Sequence, residues 1–209
     1  MYSEKDLIHG GDIYTHRDLK PGQKLLDFSA NLNPLGMPES VKQAAISAIS
    51  ASEAYPDPLC RELREAISQN EGVPAGQIVC GNGAADLLYR LVWAVKPENG
   101  LVLAPTFAEY ELALQNAGAE TEILPLSPEK GFVPDETVLD AVKPGVSIVF
   151  FCNPNNPTGI TVGREYLCRL AEKCREVGAL LVIDECFLSF VENGAEKSMV
   201  PALSRFENL

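Results

Sequence analysis

The chain has 209 residues, 46% hydrophobic and 22% charged, and its 29 acidic against 17 basic groups leave a net charge of −12. That is the composition of a globular protein long enough to bury a core without disulfides or metals as staples. The acidic balance, with no Lys/Arg cluster, argues against nucleic acid or an anionic membrane as partner, because neutralising phosphates needs a basic face.

The chain opens on MYSEKDLIHGGD, which has no basic stretch followed by an apolar one, and its longest apolar runs, 148–152 and 179–183, are too short to span a bilayer. A cytoplasmic protein is expected. Residues 1–38 are rich in turn formers (Gly10-Gly11, Pro21-Gly22, Asn33-Pro34-Leu35-Gly36) and read as an extended arm. From Pro38, apolar residues at Val41, Ala44, Ala45, Ala48 and Ile49 predict a helix that stops near Ser52, ahead of Tyr55-Pro56-Asp57-Pro58. A second helix fits 59–69. Strands are then expected at 78–80, 101–104, 121–124, 147–152 and 180–184, and helices at 84–95, 107–116, 134–142 and 164–177. This alternation indicates βαβ units, hence an α/β fold with a mainly parallel sheet covered by helices.

Six cysteines without a C-x-x-C pair read as buried free thiols. Two histidines, His9 and His16, both near the N-terminus, are poor material for a metal site or a Ser-His-Asp arrangement.

In parallel sheets ligands bind beyond the carboxyl ends of the strands, and there the unusual residues collect. Gly81-Asn82-Gly83-Ala84-Ala85-Asp86 joins a strand to a helix, so the amides of Gly83, Ala84 and Ala85 can face an anion; a plain tight turn is the alternative. Asn153-Pro154-Asn155-Asn156-Pro157-Thr158-Gly159 is a rigid loop with three amide side chains able to donate to a ligand. Asp184 ends an apolar strand, where a carboxylate must be paired: a protonated heterocyclic nitrogen would serve, or a helix cap. Phe107 and Tyr110 either stack on an aromatic ligand or fill the core.

Gly-Asn-Gly-Ala, Pro-Thr-Phe-Ala-Glu-Tyr, Asn-Pro-Asn-Asn-Pro-Thr-Gly and Asp-Glu-x-Phe, in this order and spacing, resemble the fold type I pyridoxal 5'-phosphate (PLP) enzymes of the histidinol-phosphate aminotransferase group. Within that group, His9-Gly10-Gly11, the stretch from Asp27 to Gly36, Phe107-Ala108-Glu109-Tyr110 and Phe187 are most similar to the threonine-phosphate decarboxylases of cobalamin biosynthesis. The resemblance implies an arm over 1–38 and a PLP-binding large domain over 39–209. It further implies that Gly83, Ala84 and Ala85 hold the cofactor phosphate, Tyr110 stacks on the pyridine ring, and Asn156 donates to the ring's 3′-oxygen. Asp184 would keep the pyridine nitrogen protonated, making the ring an electron sink. Tyr55 would reach the phosphate in a partner subunit, implying a homodimer, and His9 and Asn31 would contact the phosphate end of a small phosphorylated amino-acid substrate.

Histidinol-phosphate aminotransferases usually carry Tyr where this chain has Phe187, which favours decarboxylation over amino transfer as the implied reaction. Asp12, where some decarboxylase relatives have Asn, leaves the exact substrate open. The family's Schiff-base lysine falls beyond Leu209, and Lys197 lies too early to be it. The resemblance therefore implies an N-terminal portion of such an enzyme, incomplete at its C-terminus and by itself inactive, or a non-catalytic PLP- or phosphate-binding remnant.

Overall fold

A computed structural model describes residues 10–14, 20 and 22–209. Two compact units divide the chain, Met1–Leu59 and Cys60–Leu209, so the boundary expected at residue 38 falls inside the first unit. In that unit the described part of the arm is irregular, and helix α1 (Glu39–Ile49) follows Pro38 and passes into a 3-10 turn over Ser50–Glu53. The helical spacing is realised, yet α1 buries none of its residues.

The second unit begins with α2 (Arg61–Glu71), closed by Gly72 in the left-handed region. It continues through α3 (Gly83–Val95), β1 (Asn99–Ala104), α4 (Glu109–Asn116), β2 (Glu120–Pro125) and α5 (Glu136–Ala141). It ends with β3 (Ile148–Cys152), α6 (Arg164–Val177), β4 (Leu180–Asp184) and the short α7 (Gly194–Lys197). The four strands form one parallel sheet in the order β2-β1-β3-β4. This is the α/β architecture the alternating pattern predicts.

One expected strand is missing. Ile78 is extended, but residues 78–80 pair with none of the four strands. A short apolar run makes a chain suitable for a sheet, whereas membership needs a neighbour to take its backbone N–H and C=O groups. Elsewhere the element ends move by a residue or two.

Alternation along the strands sorts the core into two layers. Leu101, Leu103, Val149, Phe151 and Leu181 pack with Val138 of α5, with Leu167, Leu170 and Cys174 of α6, and with Phe206. The intervening residues Val102, Ile148, Phe150 and Cys152 pack with Leu88 and Val92 of α3 and with Tyr110, Ala113 and Leu114 of α4. β3 is buried at every residue, which explains its unbroken apolar run. Each large side chain so buried contributes about 1.5–3 kcal/mol.

Strand order also fixes where a ligand fits. From β1 the chain moves outward to β2, then returns across β1 to β3, so the loops after β1 and β3 diverge around a crevice at the carboxyl ends.

Candidate active site

The two loops flanking that crevice are tied together by Asn155. Its amide donates to Pro105 O at 2.9 Å and to Thr158 Oγ1 at 2.9 Å, while its Oδ1 accepts from Thr106 Oγ1 at 2.7 Å. Asn153, fully buried, spends its amide on Val162: Nδ2 donates to the carbonyl at 3.3 Å and Oδ1 accepts from the backbone N–H at 2.9 Å. Of the three asparagines expected to face a ligand, two are therefore structural. Asn156, half-buried, makes no side-chain hydrogen bond among the described residues and is the amide left for the crevice.

Asp184 stands at the end of β4, opposite Cys152 in the ladder. Its backbone carbonyl accepts from Asn153 N at 2.9 Å, which joins it to the Asn loop. Its Oδ1 accepts from the Cys186 amide at 2.9 Å, and its Oδ2 from the Tyr110 hydroxyl at 2.7 Å. The carboxylate is thus held at both oxygens by donors within the protein. Partial burial of the sulfur, helped by nearby Asp184, pushes the thiol of the otherwise exposed Cys186 up to about 12, and burial also raises buried Cys152; both stay protonated thiols beside the carboxylate.

Tyr110 does not take the place expected of it. It has no exposed surface, its ring stacks on Phe150 at 5.1 Å with 5° between planes, and it offers no face to a ligand. An aromatic residue at the second position of a helix that packs against a buried strand is drawn into the core by its area. Phe107, half-buried in the loop after β1 and edge-on to Tyr110 at 5.6 Å, is the ring nearer the crevice.

The turn before α3 is shaped by contact. A Cβ at Gly81 would lie 2.8 Å from Asp86 Oδ2 and 2.8 Å from Leu87, and Gly83 has φ +80, a conformation that favours glycine. Asp86 Oδ2 accepts from Asn82 N at 2.9 Å, and Arg90 braces the turn through Cys80 O at 3.0 Å and Asp86 at 3.6 Å. No side chain caps α3, so the first amides of the helix, at Gly83, Ala84 and Ala85, remain without an intrahelical or side-chain partner. Arg90 is a bracing residue that the sequence reading missed; its signal was the i, i+4 spacing from Asp86.

Next to the carboxylate, Glu185 clamps the following segment, accepting from Ser198 Oγ at 2.8 Å and from Met199 N at 2.6 Å. Phe187 is half-buried, 6.2 Å from Phe190. In the first unit Asn31 and Tyr55 are exposed, and Asp27 accepts from Ser29 Oγ at 2.5 Å. His9 lies outside the described residues. Among the described residues there is no group of three or more metal-ligating side chains, and no helix is long and apolar enough to cross a membrane.

Comparison with known proteins points the same way. Residues 23–207 match the family model for aminotransferase class I and II. Threonine-phosphate decarboxylase of Salmonella typhimurium is 38% identical over 198 residues, covering 93% of this chain and 54% of that protein. Histidinol-phosphate aminotransferase of Limosilactobacillus fermentum is 32% identical, covering 90% of this chain and 53% of the relative. Among solved structures, a Thermus thermophilus aspartate aminotransferase double mutant superposes with a TM-score of 0.66 at 31% identity, over 75% of this chain and 44% of that one. L-threonine-O-3-phosphate decarboxylase from Porphyromonas gingivalis shares the fold, with a TM-score of 0.67 at 24% identity over 82% of this chain and 49% of that one. The chain spans about half the length of the curated relatives it matches.

Proposed function

The chain belongs to the class I and II aminotransferase family, and on that premise we propose that its crevice binds PLP in a cytoplasmic, homodimeric enzyme acting on a phosphorylated amino acid. The observation that carries the reading is the placement of Asp184: a half-buried carboxylate at a strand end, held at both oxygens, facing the same side of the sheet as Cys152. The rest of the donor set fits the cofactor. The open amides of Gly83, Ala84 and Ala85 suit a phosphate, and the side chain of Asn156 suits a ring oxygen.

When bound, PLP supplies an electron sink for bonds breaking at the substrate's α-carbon. The chain's own residues do the holding. Asp184 keeps a proton on the ring nitrogen, because a neighbouring negative charge favours the protonated form. Phe107, rather than Tyr110, supplies the aromatic surface for the ring. Asn155 locks the loops after β1 and β3 so that Asn156 is presented without having to order on binding. Exposed Tyr55 is assigned to the cofactor phosphate of a partner subunit, and Asn31 with His9 to the phosphate of the substrate.

Threonine-phosphate decarboxylation, as in cobalamin biosynthesis, is the favoured reaction. Its support is Phe187, which has no hydroxyl to offer the cofactor, and a threonine-phosphate decarboxylase at 38% identity over 93% of this chain, against histidinol-phosphate aminotransferases at 30–36% over 78–95% of it. Incubating the full-length protein and PLP with threonine phosphate should release CO2, and histidinol phosphate with 2-oxoglutarate should give little amino transfer. Brisk transfer without CO2 would reverse the assignment.

A further inference from the structure

Tyr110 is a tyrosine where packing alone would accept phenylalanine. Its ring is wholly buried, parallel to Phe150 at 5.1 Å and edge-on to Phe107 at 5.6 Å. A phenol in that place adds a polar group that is costly unless it is paired. It is paired with Asp184, across the sheet: the hydroxyl, carried on the second residue of α4, donates to the carboxylate at the end of β4 at 2.7 Å. Burial above all, then nearby Cys152 and Asp184, push the phenol far above its usual range, so Tyr110 keeps its proton and remains the donor.

Asp184 is thereby gripped by two elements, with the Cys186 amide on Oδ1 and Tyr110 on Oδ2. One donor lets a carboxylate turn about its Cβ–Cγ bond, whereas two on different oxygens fix its plane. Each oxygen offers about two lone-pair sites, so the pair still has capacity for a donor from the crevice. We infer that Tyr110 is a positioning residue that acts through Asp184, fixing the plane in which the carboxylate meets a ring nitrogen, and not a ring-stacking residue. The inference rests on the reading of Asp184 as the partner of that nitrogen.

The probes are pyridoxamine 5'-phosphate, whose amine cannot form imines with surface lysines, and its 1-deaza analogue, in which C–H replaces the ring nitrogen. Equilibrium dialysis measures how strongly the protein prefers the first. Wild type should prefer it, and Tyr110→Phe, which keeps the ring, should lose at least about fivefold of that preference with unchanged affinity for the deaza compound. In an Asp184→Asn background the same substitution should change nothing further, since a residue acting through another has no effect once its target is altered. Phe150→Leu, which keeps the Tyr110 hydroxyl but loosens the seat of the ring that carries it, should narrow the preference in the same direction. A well-folded Tyr110→Phe protein with undiminished preference, or additive losses in the double variant, overturns the inference and returns Tyr110 to packing. A wild type that binds both probes equally overturns the assignment of Asp184 itself, and this inference with it.

Discussion

The sheet face covered by α5 and α6 and the face covered by α3 and α4 are built from alternate residues of the same strands, yet they end differently. On the first, the strands remain apolar to their carboxyl ends, with Leu103, Phe151 and Ile183, and the layer closes over Met199, Ala202 and Phe206. On the second, the ladder ends at Cys152 opposite Asp184, and the layer terminates in the Tyr110 hydroxyl and a carboxylate. One face can therefore be optimised for burial while the other gives up apolar contact where the crevice opens. Polar groups are affordable there because each is paired by a neighbour already fixed in the core.

The sharpest way to break this comparison is Asp184→Ala. In the full-length protein it should lower turnover by several orders of magnitude through loss of charge stabilisation at the ring. It should also cost about 1–3 kcal/mol of stability, because the Tyr110 hydroxyl is left buried without its acceptor. Near-normal turnover would mean that the second face does not carry the site. Next in size is Phe206→Ala on the first face. Removing this fully buried ring should destabilise the protein by about 3 kcal/mol or more in chemical denaturation, and leave the preference for pyridoxamine phosphate over its deaza analogue untouched. A change in that preference would show that the two faces are not separable.

Much of this division is legible in the sequence. The unbroken apolar runs at 148–152 and 180–183 already put Cys152 and Asp184 at strand ends, and the order of βα units predicts the parallel sheet. What the sequence does not carry is pairing over long separations. Residues 78–80 have the composition of a strand and pair with none of the four strands, and Tyr110, which the family resemblance sets against a cofactor ring, finds its partner 74 positions away. Burial decides between stacking on a ligand and filling the core, and burial depends on Phe150, which no local pattern around Tyr110 reveals. Two of the three asparagines depart from expectation for the same reason: identical amides in one loop are divided between structure and site by which carbonyls lie within reach.

That last point gives the most discriminating small effect. Asn155 holds Pro105 O, Thr158 and Thr106 together, so Asn155→Ala breaks three hydrogen bonds at half-buried positions and should cost about 1–3 kcal/mol in stability. The loops it joins would then have to order on binding, so pyridoxamine phosphate affinity should fall as a consequence of loosened structure. Asn156 has no such internal duty. Asn156→Ala should leave the unfolding midpoint within about 0.5 kcal/mol of wild type, as for substitutions that touch no structural feature. Its affinity for pyridoxamine phosphate should still drop about tenfold, the worth of one hydrogen bond to the ring oxygen. If instead Asn156→Ala destabilises the fold as much as Asn155→Ala and binds the probe normally, then the whole loop is structural, and the crevice must draw its ring-oxygen donor from elsewhere.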